Sequence, residues 1–69
     1  MNVVTEVAGK VWKIEVRPGA QLAADETILI VESMKMEIPV AAPQSGRLLE
    51  IRVREGDAVR EGEVVAVME

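Results

Sequence analysis

The sequence of 69 residues contains no cysteine and no histidine. Because cysteine is absent, neither disulfides nor thiolate metal sites can stabilise the chain. The lack of histidine removes the commonest general base and the commonest metal ligand. Serine occurs only at Ser33 and Ser45, and neither hydroxyl has a conventional base to activate it. We therefore expect no catalytic residues and no metal site, and we do not expect the chain to be an enzyme on its own.

Positive charge is also scarce, since eight Lys and Arg against twelve Asp and Glu give a net charge of −4. Binding to a phosphate backbone requires clustered basic residues, so nucleic acid is not an expected partner. The first six residues lack a basic signal segment, and no run approaches the about 20 apolar residues that span a bilayer. We expect a single domain over residues 1–69 that makes no membrane contact. Because its surface is mostly charged, we expect it to be a monomer. The lack of cysteine is in keeping with a cytoplasmic protein, which is the location that we expect.

The sequence does contain an internal repeat. Sliding the chain on itself by 37 positions aligns residues 9–32 with residues 46–69 without a gap. The matched pairs include Gly9 with Gly46, Ile14 with Ile51, Val16 with Val53, Gly19 with Gly56, Glu26 with Glu63 and Glu32 with Glu69. Because the glycines fall in register with the apolar positions, we interpret the two segments as a two-fold pseudo-repeat.

Each half of this repeat has the pattern of β-strands. Apolar residues alternate with charged ones over residues 12–17, and residues 49–54 repeat the alternation, which is typical of half-buried strands. The runs 27–31 and 64–68 are continuously apolar or β-branched, which indicates strands covered on both sides. No stretch carries a helical period, so the sequence predicts strands only.

The repeat also predicts the architecture. Two equivalent sets of about four strands can close on each other and protect the edges that an open sheet would expose. We therefore predict an all-β flattened barrel or sandwich of two four-stranded antiparallel sheets with two-fold pseudo-symmetry, including short strands around Leu22 and Val59. Trp12 is the only aromatic residue, and we expect it to fill the core because aromatic rings bury much apolar area.

The segment between Glu32 and Glu37 has room for only a very tight connection between two strands. Short hairpin turns normally use Asn-Gly, Asp-Gly or Gly-X, but here the hairpin tip consists of Met34, Lys35 and Met36. A primed turn without glycine is strained, and places where local rules fail are often functional. We interpret Lys35 as the functional residue and the two methionines, which are flexible and polarizable, as recognition elements.

The repeat predicts where this hairpin lies in the molecule. Because Glu32 matches Glu69, the hairpin that follows Glu32 corresponds to the gap between the two chain ends. Lys35 should therefore lie at one end of the molecule and both termini at the opposite end.

The run Glu32-Ser33-Met34-Lys35-Met36-Glu37 resembles the attachment motif of the biotinyl/lipoyl attachment domain family, and the pseudo-repeat resembles the barrel-sandwich hybrid fold of that family. The resemblance covers essentially the whole chain. It is of the biotin carboxyl carrier type, because lipoyl domains usually have aspartate before the lysine and a small residue after it. The resemblance implies covalent biotin on Lys35, recognition through Met34 and Met36, and Glu32, Ser33 and Glu37 as further recognition candidates.

The same resemblance implies the chemistry and the partners. Biotin protein ligase would join biotin to Lys35 through an amide, biotin carboxylase would load it with CO2, and a carboxyltransferase would move the carboxyl group to an acceptor. An unperturbed lysine amine is protonated at neutral pH, so the ligase has to deprotonate it. The task left to the carrier is proximity, because a reactive group on a flexible arm keeps a high effective concentration at two separate active sites.

Two features refine the resemblance. Carriers of bacterial acetyl-CoA carboxylase have an inserted thumb loop in the first half and follow a long Ala/Pro-rich linker. Here residues 16–20 connect directly and strand-like sequence begins at Val3. The chain therefore looks most like a stand-alone biotin/lipoyl attachment protein, or like a domain excised from a larger acyl-CoA, pyruvate or urea carboxylase. Two other functions stay open: a lipoyl or dual carrier for 2-oxoacid dehydrogenase or glycine cleavage systems, and an unmodified protein-interaction module.

Overall fold

The computed structural model describes residues 1–69, which form eight β-strands and no helix. The strands are β1 (Asn2–Val4), β2 (Gly9–Ile14), β3 (Gln21–Leu22), β4 (Thr27–Ser33), β5 (Met36–Ala41), β6 (Gly46–Ile51), β7 (Ala58–Val59) and β8 (Val64–Met68). No element is a helix that could cross a membrane. The predicted all-β class is confirmed.

The strands form two four-stranded sheets, in the orders β1-β8-β6-β3 and β5-β4-β2-β7. All strand pairs are antiparallel, so the predicted two-sheet architecture is confirmed. The apolar runs of β4 and β8 lie in the interior of their sheets and supply fully buried side chains to the core: Ile28, Leu29, Val31, Val65, Ala66 and Met68.

The backbone hydrogen bonds repeat from one half of the chain to the other. Seven pairs of bonds outside the regular strand ladders recur at an offset of 37 residues. For example, the Gly19 N–H donates to the Leu48 carbonyl at 2.7 Å, and the Gly56 N–H donates to the Val11 carbonyl at 2.8 Å. Gly19 and Gly56 both have positive φ, 95° and 97°, which glycine adopts without a steric penalty. The two halves of the chain therefore form equivalent sets of backbone hydrogen bonds.

The chain ends lie together, away from the hairpin that joins β4 to β5. The Met68 N–H donates to the Met1 carbonyl, and the Glu69 N–H donates to the Arg47 carbonyl, both at 2.8 Å. From the hairpin, β5 runs along its sheet for six residues, or about 20 Å. After a short connection, Gly46 lies beside Glu69. Because the longest dimension of the molecule is 30 Å, the hairpin and the termini occupy opposite ends, as the repeat predicts.

The prediction that Trp12 fills the core is wrong, because this side chain is 48% exposed. The register of β2 on β4 shifts between Val11 and Lys13, which leaves Trp12 as the extra residue of a β-bulge. An extra residue breaks the two-residue alternation, so the inward positions become Val11 and Ile14. Leu49, the match of Trp12 in the repeat, lies in the corresponding bulge of β6 and is also exposed.

The strands predicted over residues 12–17 and 49–54 begin and end earlier than expected. They are β2 (Gly9–Ile14) and β6 (Gly46–Ile51). Beyond β2, the Glu15 N–H still donates to the Ile28 carbonyl at 2.9 Å, after which the chain crosses to the other sheet to form β3.

Candidate functional site

The hairpin between β4 and β5 turns on only two residues, Met34 and Lys35. Ser33 pairs with Met36 across the two strands, and the φ angles of Met34 and Lys35 are 52° and 66°. Positive φ at both central residues is the feature of a type I′ turn, whose twist matches that of the flanking strands. The structure therefore confirms the tight primed turn without glycine that the sequence predicts.

This turn holds backbone strain. The left-handed region costs a residue with a Cβ atom about 1–2 kcal/mol. The only other non-glycine residue with positive φ is Asp25, and aspartate is one of the residue types that adopt this conformation more readily than others. Methionine and lysine are not among these residue types, so the six register pairs between β4 and β5 hold the turn in place.

The turn exposes all three side chains of the hairpin tip. Met34 is 93% exposed and Met36 is 61% exposed. Lys35 is exposed as well, and it belongs to none of the three ion pairs in the molecule. Met68, by contrast, is fully buried in the core. Large apolar side chains gain no burial energy when they remain in water, so the two tip methionines do not contribute to the core.

Strand alternation gives the hairpin two unlike sides next to the tip. Glu32 and Glu37 are cross-strand partners, and both are exposed while the preceding Val31 is buried. Their carboxylates therefore stand next to each other on the outer side, an arrangement that destabilises a hairpin. Ser33, which is half-buried, and its partner Met36 point to the other side.

Lys10 belongs to the same row of charges, and reasoning from the sequence missed it. Lys10 of β2 is in register with Glu32, so a row of Lys10, Glu32 and Glu37 crosses three strands. Their matches in the other half, Arg47 and Glu69, form an ion pair at 3.4 Å, whereas Lys10 and Glu32 form none. The repeat alignment pairs Lys10 with Arg47 and Glu32 with Glu69, but it does not show that Lys10 and Glu32 lie on neighbouring strands, so it could not have revealed this row.

Gly9 sets the close approach of β2 to β4 below the tip. A Cβ atom on Gly9 would overlap the backbone carbonyl oxygen of Glu32 and lie 2.8 Å from Cγ1 of Val31. At the matched position, a Cβ atom on Gly46 would lie 3.4 Å from the Glu69 carbonyl oxygen. Reasoning from the sequence used Gly9 only as a marker of the repeat, but the strand next to the site requires a glycine there.

The tip is a projection and not a pocket. The molecule has one groove, of about 430 Å³, which lies between the edge strands β1 and β5. Its lining includes Val3, Ile38 and Val40 but none of the tip residues. No cluster of three potential metal-ligating side chains is present. The amine of Lys35 is therefore open to a covalently attached group, and the tip offers no enclosed cavity for a free ligand.

Comparison with known proteins identifies the family. Residues 1–68 match the family model described as "Biotin-requiring enzyme". The chain belongs to the biotin/lipoyl attachment domain family. It is 45% identical over 65 residues to the biotin/lipoyl attachment protein of Bacillus subtilis (strain 168), and the match covers 94% of this chain and 89% of that protein. The predicted family is confirmed, and it is a family of carrier domains.

Two solved structures show the same fold. The urea carboxylase of Kluyveromyces lactis superposes with a TM-score of 0.96 and 33% identity, over 100% of this chain and 6% of that chain. The lipoyl domain of the 2-oxoglutarate dehydrogenase complex from Azotobacter vinelandii superposes with a TM-score of 0.75 and 32% identity, over 91% of this chain and 80% of that chain. The attachment domain therefore resembles both a carboxylase segment and a lipoyl domain.

Proposed function

We propose that the chain is a biotin carboxyl carrier and that Lys35 is the residue to which biotin is joined. The observation that supports this most is an exposed lysine without an ion pair, at the apex of a strained turn and between two exposed methionines. Biotin held there would carry a carboxyl group from a biotin carboxylase to a carboxyltransferase.

Lys35 contributes its amine nitrogen, Nζ, as the nucleophile of the attachment reaction. The tip offers no histidine, so biotin protein ligase would supply both the base that removes the proton and the activated carboxyl group. Attack by Nζ forms the amide bond. The amide is neutral, so attachment removes the charge of the lysine and lowers the cost of moving the arm into a partner's water-poor site.

The two sides of the hairpin support a two-sided recognition by the ligase. Met34 and Met36 present flexible, polarizable apolar groups that adapt to a partner surface. Glu32 and Glu37 present hydrogen-bond acceptors on the outer side, where the two carboxylates would attract a basic group on the ligase, and Ser33 adds a hydroxyl on the side of Met36.

Biotin is favoured over lipoate by two observations. The superposition is closer with the urea carboxylase than with the lipoyl domain, and methionine flanks Lys35 on both sides. A biotin carboxylase and a carboxyltransferase are then the enzymes between which the carrier moves.

We propose that the carrier is a monomer. The strand β1 is short and Pro39 lies in the edge strand β5, and both features discourage edge-to-edge pairing of two copies.

The experiment is a direct acylation assay on the purified, unmodified chain. The protein is incubated with biotin protein ligase, ATP and biotin, or with lipoate ligase, ATP and lipoate, and intact mass and streptavidin capture are recorded. We expect the wild type to be biotinylated, Lys35→Ala to remain unmodified, and Lys13→Ala, an exposed lysine paired with Glu15 at 3.6 Å, to react like the wild type. Faster lipoylation than biotinylation would favour the lipoyl carrier, and failure of both reactions would favour an unmodified interaction module.

A further inference from the structure

The four methionines of the chain differ sharply in their access to solvent. Met68 is fully buried in the core, and Met1 at the amino terminus is about half-exposed. Met34 and Met36 are 93% and 61% exposed, and they flank Lys35 on both sides. Oxidation of sulfur by a dissolved oxidant depends on the exposure of the side chain, so the two most vulnerable sulfur atoms adjoin the amine to be acylated.

We propose that Met34 and Met36 form a reversible oxidation site that switches off acylation of Lys35. This inference rests on the proposed function, because the reaction that it controls is the attachment of biotin. The oxidant is hydrogen peroxide, and the reductant that restores the site is a methionine sulfoxide reductase with its thiol donor.

The chemical step is an oxygen transfer to the thioether. A sulfur lone pair attacks one oxygen of hydrogen peroxide, the S–O bond forms and the O–O bond breaks. The departing hydroxide takes up the proton of the oxygen that is now bound to sulfur and leaves as water. The sulfur loses two electrons, the peroxide is reduced, and the product is methionine sulfoxide. A reductase removes the oxygen again as water, at the expense of two thiols that become a disulfide.

The sulfoxide changes the recognition surface and leaves the fold intact. It converts a flexible apolar group into a polar one with a strong acceptor oxygen. A ligase surface that fits the thioether would have to bury this oxygen without a partner, which is unfavourable. The core does not depend on either tip methionine, because both side chains project into solvent. Oxidation should therefore lower the rate of acylation without unfolding the carrier.

The test compares reduced and oxidised carrier in the same acylation assay. Unmodified protein is treated with hydrogen peroxide, the peroxide is destroyed with catalase, and peptide mass mapping follows each methionine. We expect Met34 and Met36 to oxidise first and Met68 to oxidise last. The initial rate of biotinylation should then fall about tenfold, as expected for the burial of one unpartnered polar group, and sulfoxide reductase should restore it.

Two variants serve as controls, each compared with its own reduced form. The double variant Met34→Leu/Met36→Leu has no sulfur at the tip, so peroxide should leave its rate unchanged. Met1→Leu retains both tip sulfurs and should lose activity on oxidation as the wild type does. An equal rate for reduced and oxidised wild type would overturn the inference while leaving the proposed function standing. No biotinylation of the reduced wild type would overturn the proposed function and this inference with it.

Discussion

Gly9 and Gly46 occupy matched positions of the two halves and each lies beside a backbone carbonyl, but an added Cβ atom would overlap that carbonyl only at Gly9. We predict that Gly9→Ala lowers the free energy of unfolding by about 2 kcal/mol, because the added methyl group forces β2 away from β4. Urea denaturation measures the change. Gly46→Ala is the matched control and should lower stability by less than about 1 kcal/mol. Equal losses for the two variants would mean that the close approach at Gly9 is not rigid.

The tip methionines should affect attachment and not stability. Met34→Ala and Met36→Leu should change the free energy of unfolding by less than about 0.5 kcal/mol, as exposed positions do, while each slows biotinylation. Thermal unfolding and initial rates of modification test the two effects separately. Met68→Ala is the contrasting variant, and we expect it to cost about 2–5 kcal/mol because it opens a cavity in the core. A comparable loss for Met34→Ala would show that this methionine is packed.

Among the elements, the hairpin between β4 and β5 is less stable than it could be, because its turn places two residues with Cβ atoms at positive φ. Replacing Met34-Lys35 with Asn-Gly supplies the residues that a type I′ turn favours. The variant should unfold at a higher denaturant concentration, with a gain of about 1–2 kcal/mol, because glycine removes the positive-φ cost at one of the two positions and asparagine tolerates it at the other. Asp25→Gly is the control at the third such position, and it should gain less because aspartate tolerates this conformation. If the Asn-Gly variant were less stable than the wild type, Met34 and Lys35 would not be strained in this turn.

The sequence predicted the two sheets and the strained turn, but it did not predict the bulge at Trp12 or the row of charges next to the tip. The pseudo-repeat predicted two equivalent sheets, and the lack of Asn-Gly between Glu32 and Glu37 predicted the strained turn. The exposed position of Trp12 could not be predicted, because a bulge adds a residue to the strand and no residue type marks it. The row that joins Lys10 to the two glutamates also depends on strand order, which local patterns do not determine.

At the scale of the whole molecule, the tip and the termini lie at opposite ends. A folded protein fused after Glu69 should therefore leave the rate of Lys35 biotinylation within about twofold of the unfused chain, since additions are tolerated away from the site. Insertion of the same protein between Ser33 and Met34 should abolish modification. Rates from streptavidin capture over time test both fusions. Strong inhibition by the fusion after Glu69 would contradict the two-ended arrangement.

We propose that Lys35 alone receives biotin. The chain has three lysines, Lys10, Lys13 and Lys35, so fragment mass spectra can assign the modified one without ambiguity. The most direct measurement is the intact mass and fragmentation of the chain from cells in which biotin protein ligase is active and modifies its own carrier. We predict one biotinyl group, located on Lys35. An unmodified chain in those cells, or biotin on Lys10 or Lys13, would show that Lys35 is not the attachment site.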